Sequence, residues 1–176
     1  MSRGRQVLII GGVALALWGM SYGLWYAVFA EHQALEGIGS GLAASFGDAA
    51  QRQTESSAAH LNHYREAKYV YDRQVDVHSH WIGLAMLLLI LGIAYDRVAL
   101  SARWKLLLAI KLLIGAFLFP LGVLMQTWSH GPLPRGLAIA GSVLVIASLA
   151  GMAVGMVRKP TNHGHYDVQV VIRDKS

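Results

Sequence analysis

Residues 77–95 of the chain read VHSHWIGLAMLLLILGIAY. After its two histidines the stretch carries no ionisable group up to Ala94, and its length matches the roughly 20 residues that cross a bilayer as a helix. Three other segments have the same character. The sequence therefore predicts an all-α integral membrane protein with four transmembrane helices: Gln6 to Ala30, Val77 to Tyr95, Leu106 to Thr127 and Leu137 to Val157.

The composition agrees with a membrane protein and narrows its chemistry. The 176 residues are 55% hydrophobic and only 14% charged, and none of them is cysteine. Without cysteine there are no disulfides, thiolate metal sites, iron–sulfur clusters or cysteine nucleophiles. A bound metal or haem would need histidine, methionine or oxygen ligands.

Basic residues set the predicted orientation. In a four-span arrangement the clusters near the helix ends all fall on one side, as the positive-inside rule requires; they are Arg3, Arg5, Arg97, Arg103, Lys105, Arg158 and Lys159. The first apolar run is longer than the 7 to 15 residues of a signal-peptide core, which indicates an uncleaved anchor. We expect a multi-pass protein of the bacterial inner (cytoplasmic) membrane, with both termini cytoplasmic.

The segment between the first two spans is predicted to be a helical hairpin on the outer, periplasmic side. Three- and four-residue spacing of apolar side chains continues past Ala30, and on the second helix it crosses the membrane boundary without a break. We therefore expect helices 1 and 2 of an up-down bundle to extend beyond the membrane, since short connections make the later helices antiparallel neighbours. The predicted parts are a transmembrane helix (1–30), the hairpin (31–76), a three-helix transmembrane region (77–157) and a cytoplasmic tail with a short strand (158–176).

Small residues recur along each predicted span and are expected to face one another, because they let helix backbones approach closely in lipid. The stripes comprise Gly12, Ala16, Gly19 and Gly23; Ala85 and Gly92; Gly115 and Gly122; and Gly141, Ser148, Gly151 and Gly155. A general abundance of glycine in membrane helices is the alternative explanation.

Histidines near the outer face are the candidate ligands. His78 falls on the same stripe as the small residues of its helix, whereas His80 is rotated by about 200° from it. With His130 and His32 at a similar predicted depth, a histidine cluster could hold haem b, copper or another metal. The alternative is that these imidazoles only anchor helices at the headgroups.

One lysine lies inside the third span. Lys111 is predicted to snorkel to the cytoplasmic surface or to pair with Asp96 at the end of the second helix. It is the clearest charge within a span, and broken helices or several buried charges, typical of a transporter, are missing from the sequence.

No self-contained catalytic motif occurs in the sequence: there is no nucleotide-binding loop, nucleophile elbow or zinc-protease helix. The sequence favours an accessory or electron-transfer subunit of a respiratory or other redox complex over an independent enzyme. The alternative is a cofactor-free structural or assembly subunit that docks through the hairpin and the tail. A dimeric sensory module is a third reading. Expected partners are the lipid bilayer and larger membrane subunits or a second copy, and not nucleic acid.

Overall fold

The computed structural model describes residues 2–158, and these form helices joined by short turns, with no strand among them. In chain order they are α1 (Arg3–Trp25), a π-helical turn (Tyr26–Ala30), α2 (Glu31–Ala50), α3 (Thr54–Ala94), a 3-10 turn (Tyr95–Arg97), α4 (Ala102–Met125) and α5 (Pro132–Val157). The strand predicted in the tail falls on residues 159–176, which lie outside the described residues.

Four helices in this range are long and apolar enough to cross a membrane, which confirms the all-helical class and the number of candidate spans. Two of them exceed what a bilayer needs. The first is continuous through the π-helical turn over 48 residues, Arg3–Ala50, and the second covers 44 residues, Thr54–Arg97. At 1.5 Å per residue each extends for about 65 to 70 Å, more than twice the hydrocarbon thickness.

Local signals mark where the helices begin and end. Between α2 and α3 the chain reverses at Arg52, whose φ of 63° is the left-handed conformation that breaks a helix. Pro132 occupies the first turn of α5, where its missing N–H costs nothing. Ser2 and Ser101 precede α1 and α4 in extended conformation.

The helices pack in a fixed order. α1 runs antiparallel to α3, α4 contacts both of them, and α5 lies against α4. Small residues form the contacts: a Cβ on Gly12 would lie 3.0 Å from Leu89, and one on Gly115 would lie 2.8 Å from the carbonyl oxygen of Gly141. Most of the fully buried side chains come from α1, α3 and α4, and α5 adds Pro134 and Ser148. Those of the first three helices include Leu8, Val77, Trp81, Ala85, Leu88, Ala109, Leu112, Ala116 and Pro120.

Within residues 31–76, between the first two predicted spans, α2 pairs with the first part of α3 through small and polar residues. Gly41 and Ser45 are the buried residues of α2. The Ser45 hydroxyl donates to the Ser57 carbonyl at 3.0 Å, and the Ser57 hydroxyl donates to the Ser45 carbonyl at 2.9 Å. This reciprocal pair holds the two helices together where there is no large apolar core.

The outer surface of this part of α3 carries ion pairs. Lys68 donates to both carboxylate oxygens of Asp72, at 2.8 and 2.7 Å, and Arg73 lies 3.5 Å from Asp76. The hydrogen bond that Lys68 donates to the Asp72 carboxylate raises the pKa of Lys68. These exposed pairs suit a helix face in water.

Candidate functional site

His78 lies between α3 and α1, half-buried, with its ring against two glycines. Its Nδ1 is 3.0 Å from the carbonyl oxygen of Gly19. Because a carbonyl oxygen can only accept, this hydrogen bond requires a proton on Nδ1 and does not involve Nε2. A Cβ on Gly23 would overlap the ring at Cε1 and Nδ1. The small stripe of α1 therefore makes room for this imidazole.

His80 faces a different helix. Its Nδ1 donates to the carbonyl oxygen of Asp76 at 2.6 Å, one turn earlier in α3, and its ring meets Phe119 of α4 edge-on at 4.7 Å. The two histidines thus point toward α1 and α4 respectively, as the rotation between their positions predicts.

His130, on the connection between α4 and α5, is exposed and lies further out along α3. Its ring packs on Tyr69 with centroids 5.2 Å apart, and Nε2 is 3.8 Å from a carboxylate oxygen of Glu66. These contacts are nine to twelve residues before His78, or about 14 to 18 Å along the helix axis. His130 and His78 are not at one depth.

The remaining candidate residues are separate from these histidines. His32 is exposed on the first turn of α2, and Lys111 is exposed on α4. Asp96 accepts from Arg5 at 3.2 Å, so the carboxylate that was one predicted partner of Lys111 is engaged by α1 instead. The sequence indicates only a role in orientation for Arg5, and no pattern in it predicts the ion pair with Asp96.

The predicted histidine cluster is therefore not supported. Among residues 2–158, no three histidine, aspartate or glutamate side chains come close enough to hold a metal ion. The rings of His78 and His80 lie on different sides of α3, and each forms a hydrogen bond through Nδ1 to a backbone carbonyl. His130 contacts α3 more than two turns from them.

An aromatic cluster that the sequence did not reveal is centred on Trp81, about one turn along α3 from His78. Trp81 is fully buried and meets Trp18 and Tyr22 of α1 edge-on, with centroids 5.8 and 5.3 Å apart, while Phe117 of α4 stacks on it at 6.4 Å. The indole N–H of Trp81 is buried and has no hydrogen-bond partner among residues 2–158. This cluster joins three helices and makes His78 part of a packed interface.

We expect Gly23 and His78 to be energetically coupled. Gly23→Ala should displace the ring and break its bond to Gly19, costing about 1 kcal/mol of stability. In the His78→Ala background the same change should be neutral or stabilising, because alanine is the better helix former. Unfolding titrations in mixed micelles of the two single variants and the double variant measure this coupling; additive effects would contradict the contact.

Comparison of the chain with protein families, with curated proteins and with solved structures finds no match.

Proposed function

We propose that the protein is a cofactor-free structural or assembly subunit of a larger membrane complex, inserted as an up-down bundle and docking through the paired helices of residues 31–76. In this proposal both termini are cytoplasmic in a bacterial inner membrane, and the paired helices project into the periplasm. The basic residues at one end of the helices support this orientation. The tail contributes further contacts.

The observation that carries the docking role is the apolar surface of α2 beyond the membrane span. Leu35 is 47% exposed and Phe46 is 68% exposed, and Ile38 and Leu42 are half-buried between them. In the span, lipid would cover such side chains, but here water would. Apolar area of this kind is stabilised when another protein surface covers it.

The limited contact between the paired helices also supports a docking role. The residues of α2 that this contact buries are Gly41 and Ser45, and no large apolar side chain of α2 is fully buried in it. An antiparallel helix pair without a substantial core has limited stability of its own. Docking to a partner would supply the missing burial.

The test compares two double variants on the same helix after purification from native membranes. Leu35→Ser with Phe46→Ser should abolish copurification of partner subunits, whereas Ala43→Ser with Ala50→Ser, also at exposed positions, should leave it intact. Light scattering of the purified protein identifies a second copy as the partner if the mass is doubled. Unchanged copurification after the Leu35 and Phe46 changes would count against the proposal.

The redox alternative, with haem b or copper held by His78, His80, His130 or His32, has one supporting feature. The Nδ1 bond of His78 to a backbone carbonyl leaves Nε2 available, as metal-bound histidines require. The visible absorption spectrum of the same preparation separates the two proposals, because a haem gives a Soret band that the structural role does not predict.

A further inference from the structure

A cavity of about 310 Å³ opens at the basic end of the spanning helices, where α1 and α4 begin and α3 ends. Three basic side chains line it, Arg3, Arg103 and Lys105, and Tyr95 and Asp96 contribute from the 3-10 turn. Asp96 is the acidic residue of the lining, and its carboxylate is already paired with Arg5. Among residues 2–158, the cavity is thus lined by three cationic side chains and by one carboxylate, which Arg5 already engages.

The position of Lys105 is fixed by packing. Its ammonium lies 4.8 Å from the centre of the Tyr95 ring, and Tyr95 is buried against the first turn of α1. A cation held over an aromatic face is ordered before a ligand arrives. Two helix N-termini reinforce the charge: neither α1 nor α4 has an acidic residue in its first turn or a side-chain cap.

The same two helices form an apolar groove further along. A second cavity, of about 440 Å³, lies between α1 and α4 and is lined by apolar residues only: Gly11, Ala14, Leu15, Trp18, Leu113, Ile114, Phe117 and Leu118. From Arg3 to the start of this groove is eight residues on α1, and from Lys105 to Leu113 is eight on α4, or about 12 Å on each helix. Gly4 and Leu106 of the basic cavity lie seven residues, or about two turns, before Gly11 and Leu113 of the groove, so the cavity and the groove lie on similar faces of the two helices.

We propose that α1 and α4 form a binding site for one anionic phospholipid, with its phosphate among Arg3, Arg103 and Lys105 and an acyl chain in the groove beside Trp18 and Phe117. Cationic pockets between spanning helices on the cytoplasmic side suit anionic headgroups. A free phosphate ion matches the cavity but makes no use of the groove. This site depends on membrane insertion and is independent of docking through residues 31–76.

The test uses the full chain, delipidated in mild detergent, with lipid binding counted by native mass spectrometry. The probes are dioleoylphosphatidylglycerol, dioleoylphosphatidylcholine and inorganic phosphate. We expect one tightly held phosphatidylglycerol, bound at least 10-fold more tightly than phosphatidylcholine. Arg103→Gln with Lys105→Gln should weaken it about 25-fold, at about fivefold per charge. Arg135→Gln, at the opposite end of the helices, is the charge control and should change affinity less than twofold.

A groove variant separates lipid from free phosphate. Ala14→Phe fills the groove that Ala14 lines and should weaken phosphatidylglycerol about 10-fold, whereas Val13→Phe, at the neighbouring exposed position, should not. Equal affinity for both lipids would overturn the proposal. The proposal would also be overturned if inorganic phosphate displaced phosphatidylglycerol at equal concentration and Ala14→Phe had no effect. The site would then bind the free ion. If the double variant does not fold, salt dependence of wild-type binding decides: phosphatidylglycerol affinity must fall with ionic strength.

Discussion

Replacing Trp81 by alanine should destabilise the protein more than any other single change that we consider, by about 3 to 5 kcal/mol. Trp81 is 0% exposed and contacts aromatic rings from both α1 and α4, so its removal leaves a cavity where three helices meet. In lipid the transfer of apolar area to water contributes less, and the lost packing contributes most of the effect. Unfolding titrations in mixed micelles measure the loss.

Trp128→Ala is the matched control. That side chain is 76% exposed beyond the end of α4, and its truncation should change stability by less than about 0.5 kcal/mol. Trp81→Phe keeps a ring in the cluster and removes the indole N–H that has no partner, so it should retain most of the stability. Equal losses for Trp81→Ala and Trp128→Ala would show that both tryptophans are surface anchors.

The two tryptophans illustrate how far the sequence leads. Both lie at predicted membrane boundaries, and a hydropathy pattern cannot distinguish a ring that faces headgroups from one that faces other helices. The spacing on α3 does contain the answer in part: His78, Ala85 and Gly92 recur every seven residues and all lie toward α1. Knowing which neighbour occupies the next face requires the order in which the helices pack.

The π-helical turn could not be predicted from spacing alone. Along α1 the buried positions Gly12, Gly19 and Tyr26 are seven residues apart, whereas Gly41 lies one residue late for this repeat. The turn at Tyr26–Ala30 takes up the extra residue and keeps both α1 and α2 against a single α3. Small and apolar residues occupy several adjacent stripes of this helix. A shift of one residue in the buried repeat therefore cannot be detected from the sequence.

The predicted depth of the histidines shows a second limit of the sequence analysis. Their residue type suggested ligation, and their order along the chain suggested a common depth. The depth estimate for His130 depended on where the connection after α4 leads, and that segment continues outward along α3 to Glu66 and Tyr69. Distance along a helix follows from sequence, but the path of a loop does not.

Gly141→Ala should have the second largest effect, about 2 to 3 kcal/mol, through the contact between α4 and α5. A Cβ on Gly141 would overlap the backbone nitrogen of Phe119 and lie 2.7 Å from its Cα, and backbone atoms in a helix cannot move aside as a side-chain tip can. The helices must separate, which weakens the close approach that stabilises helix pairs in lipid. A shift of this contact also affects Gly122, which meets Ala138 in the same way.

Gly136→Ala provides the comparison, because it introduces the same methyl group on the same helix, at a position where no other helix of the described residues comes within 4 Å. Since alanine favours a helix over glycine by up to about 1 kcal/mol, Gly136→Ala should be neutral or stabilising. The measurement is the shift of the thermal unfolding temperature in detergent. If Gly141→Ala lowers this temperature and Gly136→Ala does not, the α4–α5 interface lies on the Gly141 face. If Gly141→Ala were as well tolerated as Gly136→Ala, α5 would have to pack through a different face, because a methyl group cannot share the space of the Phe119 backbone.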